Sequence, residues 1–307
     1  MLLSVAAALV LAGCGSIGTP TVAPSVPTGG YPGWPPAQSY ELIPIPVSTE
    51  LTVGANRLLV NLIDSANEPL GSPDRPVELR LYDLAADPAA PAQSAAATYM
   101  ETVAGLPGLY RAQVSFDRAG EWGLEAIATE ADGTNRTGRM VFTVRQSGTT
   151  PAIAGQAPAS DTPTAATAEE IAAISTDDNP DPAFYVLSIA DAIAAERPFV
   201  VIFATPAFCT SATCGPTLDL VKSVAPEFKA QVEFIHVEPY QLKMVDGHLQ
   251  PELSDQNLPI PVPAVNEWGL PTEPYVFVVD GDGRVSAKFE GIAAADELAA
   301  ALSEVAN

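Results

Sequence analysis

From about Leu42 to Val144 the chain alternates apolar and polar positions in short runs separated by turn residues. LTVGANRLLVNLIDSANEPL predicts a strand, a turn and a second strand, with Val60 and Leu62 on one face and Leu59 and Asn61 on the other. VELRLYDL sets Val77, Leu79 and Leu81 against Glu78, Arg80 and Tyr82. ATYMETVAGLPGLYRAQVSF, GEWGLEAIAT and RTGRMVFTVR bring the count to about seven strands, with turn signals at Gly105–Gly108, Arg118–Gly120 and Asp132–Gly133. Short strands at this spacing over about 100 residues suggest a β-sandwich with Trp122 packed between its sheets.

From Phe184 the period changes. VLSIADAIAAER places Leu187, Ala190, Ile193 and Ala194 along one helical face, and Pro198 stops it. FVVIFAT is a continuous apolar run of the kind a buried parallel strand requires. A cysteine-bearing loop follows, then a helix near Thr217–Phe228 and a strand in VEFIHVEPY. YVFVVDGDGRVSAKFEG predicts a hairpin turning at Asp280–Gly283, and DELAAALSEV a closing helix. Residues 146–183, rich in Ala, Pro, Thr, Ser and Asp, predict a linker between two domains, with a helical turn or two at Glu169–Ile174. The expected segments are 1–14, 15–41 (a Gly/Ser/Thr/Pro tether), 42–145, 146–183 and 184–307.

Composition narrows the function classes. With 14 Lys and Arg against 37 Asp and Glu, the net charge is −23. No stretch concentrates basic residues, so no nucleic-acid partner is expected. No phosphate loop, zinc spacing or Ser/His/Asp arrangement is present. No cofactor is expected. Asp280-Gly281-Asp282-Gly283 lacks the later acidic ligands of a calcium loop. Met100 and Met140 have no His or Cys beside them to complete a metal site in the β region.

Residues 2–13 are apolar or small and uncharged, too short a run to span a bilayer, and they end in Leu11-Ala12-Gly13-Cys14. That sequence resembles the lipobox of bacterial lipoproteins. The resemblance implies cleavage before Cys14 and acylation of its thiol, giving a membrane anchor on the extracytoplasmic side. No Lys or Arg precedes the apolar run, which departs from the family pattern and predicts a true start upstream of Met1. GLYRAQVSFDRAGEWGLEA is similar to Ig-like accessory domains of exported bacterial proteins.

FVVIFATPAFCTSATCGPTLDLV resembles the thioredoxin-like superfamily, especially its membrane-tethered extracytoplasmic members. Gly269-Leu270-Pro271-Thr272-Glu273-Pro274 before YVFVVDGDGRV matches the segment where that family carries a cis-proline. The expected class is therefore multidomain: an all-β Ig-like sandwich followed by an α/β thioredoxin-like fold. The resemblance implies that Cys209 attacks and Cys214 resolves, with Glu273 and Pro274 lying against the substrate. Implied partners are client protein disulfides or thiols and a membrane electron donor.

The spacing departs from the family's C-x-x-C, because four residues separate Cys209 from Cys214. Within one regular helix that separation puts the two about 8–9 Å apart, whereas a disulfide needs Cα atoms roughly 4.4–6.8 Å apart. At least one cysteine must lie off the helix. Gly215-Pro216 places Cys214 just before a helix start, where a thiolate is stabilised. Three chemistries fit such a pair. One is disulfide exchange. Another is a structural bridge in an envelope binding scaffold. The third is a copper site of the Sco type, with His236 or His248 as added ligand. His236 shares a strand face with Val232 and Phe234, which favours packing, and His248 falls in a polar loop. Tyr240 and Trp268 line either the thiol cleft or the core.

Overall fold

The computed structural model describes residues 31–34, 41–102 and 107–306. Cys14, the lipobox and most of the tether lie outside the described residues. Of the described chain 36% is strand and 18% helix. This overturns the expected class of an Ig-like sandwich followed by an α/β thioredoxin-like fold.

The N-terminal strands are β1 (Ile43–Pro46), β2 (Gly54–Ile63), β3 (Val77–Asp83), β4 (Gln93–Met100), β5 (Leu109–Phe116), β6 (Gly120–Thr129) and β7 (Asn135–Val144). They form one antiparallel sheet in the order β1-β2-β5-β4-β3-β6-β7. β4 prevents a split into two sheets. Its first half pairs with β3 (Val77↔Ala97 to Leu81↔Gln93) and its last three residues pair with β5 (Thr98↔Arg111 to Met100↔Leu109). The ends of the sheet nearly meet, since Thr52 bridges Arg145 and a methyl on Gly138 of β7 would collide with the Leu42 carbonyl. Alternation along a strand reports only that one face is buried. It therefore reads the same for a sandwich and for a single sheet coiled on itself.

Leu58, Val60, Leu62, Leu79, Leu81, Phe116, Trp122 and Leu124 fill the interior of this sheet. Trp122 meets Phe116 edge-on at 4.9 Å, and its indole N–H donates to the Arg118 carbonyl at 3.2 Å. Leu59 points the other way and is also buried, against Met100 and Ile292. Strand β2 thus has a second dry face, which belongs to the contact with the C-terminal half.

That half contains α1 (Ala168–Ile174), α2 (Ile189–Ala194), β8 (Phe199–Phe203), α3 (Cys214–Phe228), β9 (Glu233–Val237), β10 (Leu242–Val245), β11 (His248–Pro251), α4 (Pro263–Glu267), β12 (Tyr275–Val279), β13 (Val285–Glu290) and α5 (Ala295–Val305). Its main sheet has four strands, β13-β12-β8-β9, in which β8 and β9 are parallel and the other pairs antiparallel. β10 and β11 form a separate ladder. All five residues of β8 are buried. Val200 and Ile202 pack with Leu218 and Val221 of α3 and Leu298 and Leu302 of α5, while Phe199, Val201 and Phe203 pack with Ile189, Ala192 and Trp268. The apolar run was expected as a buried parallel strand; β8 is parallel to β9 but antiparallel to β12, and a run of five buried apolar residues reads alike between either kind of neighbour.

Residues 146–183, read by composition as a connector, lie packed on this half. Ala157, Ala165 and Ile171 are buried, and the Ala154 N–H donates to the Val285 carbonyl. Thr167 and Glu170 form a reciprocal cap that starts α1. Charged contacts close the seam between the halves. Arg57 binds Glu297 at 2.7 Å, Arg111 binds Asp296 and Glu297, and Lys288 binds Glu50 at 3.1 Å. A cleft of about 800 Å³ lies along this seam and contains neither Cys209 nor Cys214.

Candidate functional site

Three chain segments meet at one end of the four-stranded sheet. β8 and β9 run parallel with Phe203 opposite Val237, so the residues after them, 204–206 and 238–240, leave the sheet side by side. β12 pairs with β8 antiparallel, Tyr275 opposite Phe203, which brings Pro274 and Glu273 beside Ala204 and Thr205. The carboxyl ends of parallel strands are where open sheets leave a crevice, because the connecting loops diverge there. Cys209 lies on the loop leaving β8 and Cys214 is the first residue of α3. The Glu273–Pro274 bond is cis.

The five-residue separation is resolved as geometry required, with one cysteine off the helix. Cys214 is the first residue of α3, so the helix starts two residues before Pro216. Ala212, at φ +58°, reverses the loop so that Cys209 returns to the helix start. The Cys214 backbone N–H donates to the Cys209 sulfur at 3.3 Å. Thr213, at the cap position, makes no side-chain cap bond. The sulfur therefore occupies the place of a capping oxygen, where unpaired helix N–H groups favour negative charge. Ser211 Oγ lies 3.2 Å from the Cys209 sulfur and 2.7 Å from Thr213 Oγ1.

The two thiols are driven apart electrostatically. A hydrogen bond from the Cys214 thiol leads the effect on Cys209, ahead of opposing burial. With Ser211 and the Cys214 and Thr213 N–H groups it brings Cys209 down from 9.0 to about 5. Cys214 is pushed up, first by its bond to Cys209 and then by burial. The half-buried Cys209 is thus held as a thiolate at neutral pH, and the fully buried Cys214 keeps its proton.

A buried polar network fixes the loop from behind. His236 Nε2 lies 2.9 Å from the Ala204 carbonyl and Nδ1 lies 2.8 Å from the Tyr185 hydroxyl, itself 2.9 Å from Ser175 Oγ. Thr176 Oγ1 accepts from the Ala207 N–H at 3.2 Å, and Thr176 donates its N–H to Glu238 Oε1 at 2.6 Å. Lys222 of α3 binds Asp177 at 2.8 Å. Burial leads in raising Glu238, opposed by its hydrogen bonds to Thr176 and Thr205. Sequence reasoning missed Ser175, Thr176, Lys222 and Glu238. The acidic residue directly after β9 was the one available signal, since a strand end beside the cysteine loop is where Glu238 falls.

The remaining candidates separate cleanly. Both ring nitrogens of His236 are engaged, while His248 is exposed at the start of β11. Among the described residues no group of three His, Cys, Asp or Glu is placed to hold a metal ion. Trp268 is core, tilted against Phe277 at 4.7 Å. Tyr240 lies beside the Glu273 carboxyl; burial and then Glu273 push its hydroxyl up. Burial raises Glu273, which also feels the Cys209 charge. Asp280 Oδ1 accepts the Asp282 and Arg284 N–H groups at 3.0 and 2.8 Å and so closes a hairpin turn.

No family model and no curated protein matches the chain. Among solved structures it is similar to the PmoD soluble domain from Methylocystis sp. (Rockwell), with 18% identity over 31% of this chain and 76% of that chain. The TM-score is 0.18, too low for the likeness to carry an argument about fold or function.

Proposed function

We propose that the chain carries out thiol–disulfide exchange on protein clients outside the cytoplasm, held at a membrane through a lipid on Cys14. The observation that carries the chemistry is the Cys209 sulfur at the start of α3, 3.3 Å from the Cys214 N–H, with its partner thiol buried behind it. Attack of the Cys209 thiolate on a client disulfide forms a Cys209–client disulfide and releases the other client sulfur as thiolate. Cys214 then loses its proton and attacks the Cys209 sulfur. The client leaves as a thiol, the Cys209–Cys214 bond forms, and a dithiol donor at the membrane reduces it again. The Leu11-Ala12-Gly13-Cys14 sequence supports the anchored location.

Insulin reduction by the full chain, with dithiothreitol as reductant, tests the chemistry. Cys209→Ser is expected to abolish turnover, and Cys214→Ser to trap a covalent adduct between Cys209 and the client. Equal rates for wild type and both variants would overturn the proposal.

A further inference from the structure

The loops around Cys209 are almost free of charge. From Pro198 to Leu218 no residue is ionic, nor is any in 239–242, 269–272 or 274–279. Lys222, the first cation after the cysteines, is occupied by Asp177 and Asp219 at 2.8 and 2.9 Å. Glu238 turns its Oε1 to Thr176 behind the loop. That leaves Glu273. The register of β12 against β8 sets it beside Thr205, whose backbone N–H faces the Cys214 sulfur. Its side chain is half-buried, beside Tyr240.

We infer that Glu273 is a specificity-determining residue that makes the cleft select client disulfides flanked by Lys or Arg and disfavour those flanked by Asp or Glu. The Glu273 carboxylate and the Cys209 thiolate, close enough to feel one another, present two negative charges to an incoming client, and the loops that carry them hold no cation among the described residues. The inference rests on the exchange reading and adds the class of client. Hydrogen bonds lead in holding the Cys209 thiolate, rather than an adjacent Lys or Arg, so no cation at the site stands ready to receive an acidic client.

Small disulfides of defined charge test this on the full-length protein at pH 8. The probes are cystamine (cationic), 2-hydroxyethyl disulfide (neutral) and 3,3′-dithiodipropionate (anionic). Each rate constant is divided by that of 2-mercaptoethanol with the same probe, which removes differences in probe reactivity. One unit charge interacting across about 7 Å in a largely aqueous cleft changes a rate by about three- to tenfold. Attraction of the cation and repulsion of the anion both enter the normalised cystamine-to-dithiodipropionate ratio, which is therefore expected to be about ten- to a hundredfold higher in wild type than in Glu273→Gln. Glu273→Asp is expected to keep most of the preference, and 1 M salt to reduce it. Because each ratio is taken within one protein, a change in Cys209 reactivity cancels. An unchanged ratio in Glu273→Gln, with normal reaction of the neutral probe, overturns the charge selection alone. Failure of Cys209 to react with the neutral probe overturns the exchange reading and this inference together.

Discussion

The low pKa of Cys209 is the quantity on which the chemistry turns, and its sources can be removed one at a time. Four donors lower it: the Cys214 thiol, the Ser211 hydroxyl and the N–H groups of Cys214 and Thr213. Together they carry the group from 9.0 to about 5. Because burial opposes them, the four donors together exceed this net displacement, so each contributes on average at least about one unit, or about 1.4 kcal/mol. Screening at a half-exposed site reduces that to about 1 kcal/mol. Ser211→Ala should therefore move the Cys209 midpoint to about 6, and Cys214→Ala should raise it at least as far. The assay is the pH dependence of alkylation by iodoacetamide in a Cys14→Ser background, checked by thiolate absorbance at 240 nm. A wild-type midpoint above about 8, or no movement in Ser211→Ala, would refute the capping argument. The stability linkage has a definite sign. The folded value lies below the unfolded one, so ionised Cys209 favours folding above about pH 9, and this contribution disappears as pH falls through about 5.

Other consequences are open to measurement. Burial lowers His236 from 6.5 to about 4, so its neutral form stabilises the fold fully above pH 6.5. About 3 kcal/mol of that is lost by pH 4, and urea unfolding of His236→Asn should show a flatter pH slope. Arg57→Ala leaves the largely buried Glu297 with Arg111 and the Ala294 N–H as its remaining partners. It should cost about 2–3 kcal/mol in the same assay, and a change below about 0.5 kcal/mol would contradict the seam's importance. Gly138→Ala drives a methyl into the Leu42 carbonyl. A destabilisation of about 1–3 kcal/mol is expected, read as a lowered Tm.

Local elements were largely legible. The alternation in Val77–Asp83, the five-residue apolar run before the cysteines and the turn at Asp280–Gly283 all correspond to elements of the structure. Each depends only on neighbouring residues. The sheet order was not legible, because β4 changes partner at Thr98, and nothing in QSAAATYM marks where one neighbour gives way to the next. Nor did Leu59 announce that its face is dry, since the residue covering it, Ile292, is more than two hundred positions away. At the site, the separation of Cys209 and Cys214 already excluded a common helix. The fixing of their loop by Thr176 and Glu238 depends on a Ser/Thr-rich stretch whose composition resembles a connector.

The ion pairs across the seam bear on how this protein is inherited. Glu50 stands in the N-terminal half, and its side chain is 3% exposed. Its oxygens are met by Thr149, Thr150 and Lys288, all from later in the chain. A recombination that moved residues 146–307 onto another scaffold would strand this carboxylate in one product, while Lys288 in the other would keep the Thr150 hydroxyl. Buried charges without partners are costly, so the N-terminal fragment is not a ready exchangeable module. A substitution at Glu50 is tolerated only as far as Thr149, Thr150 and Lys288 across the seam allow.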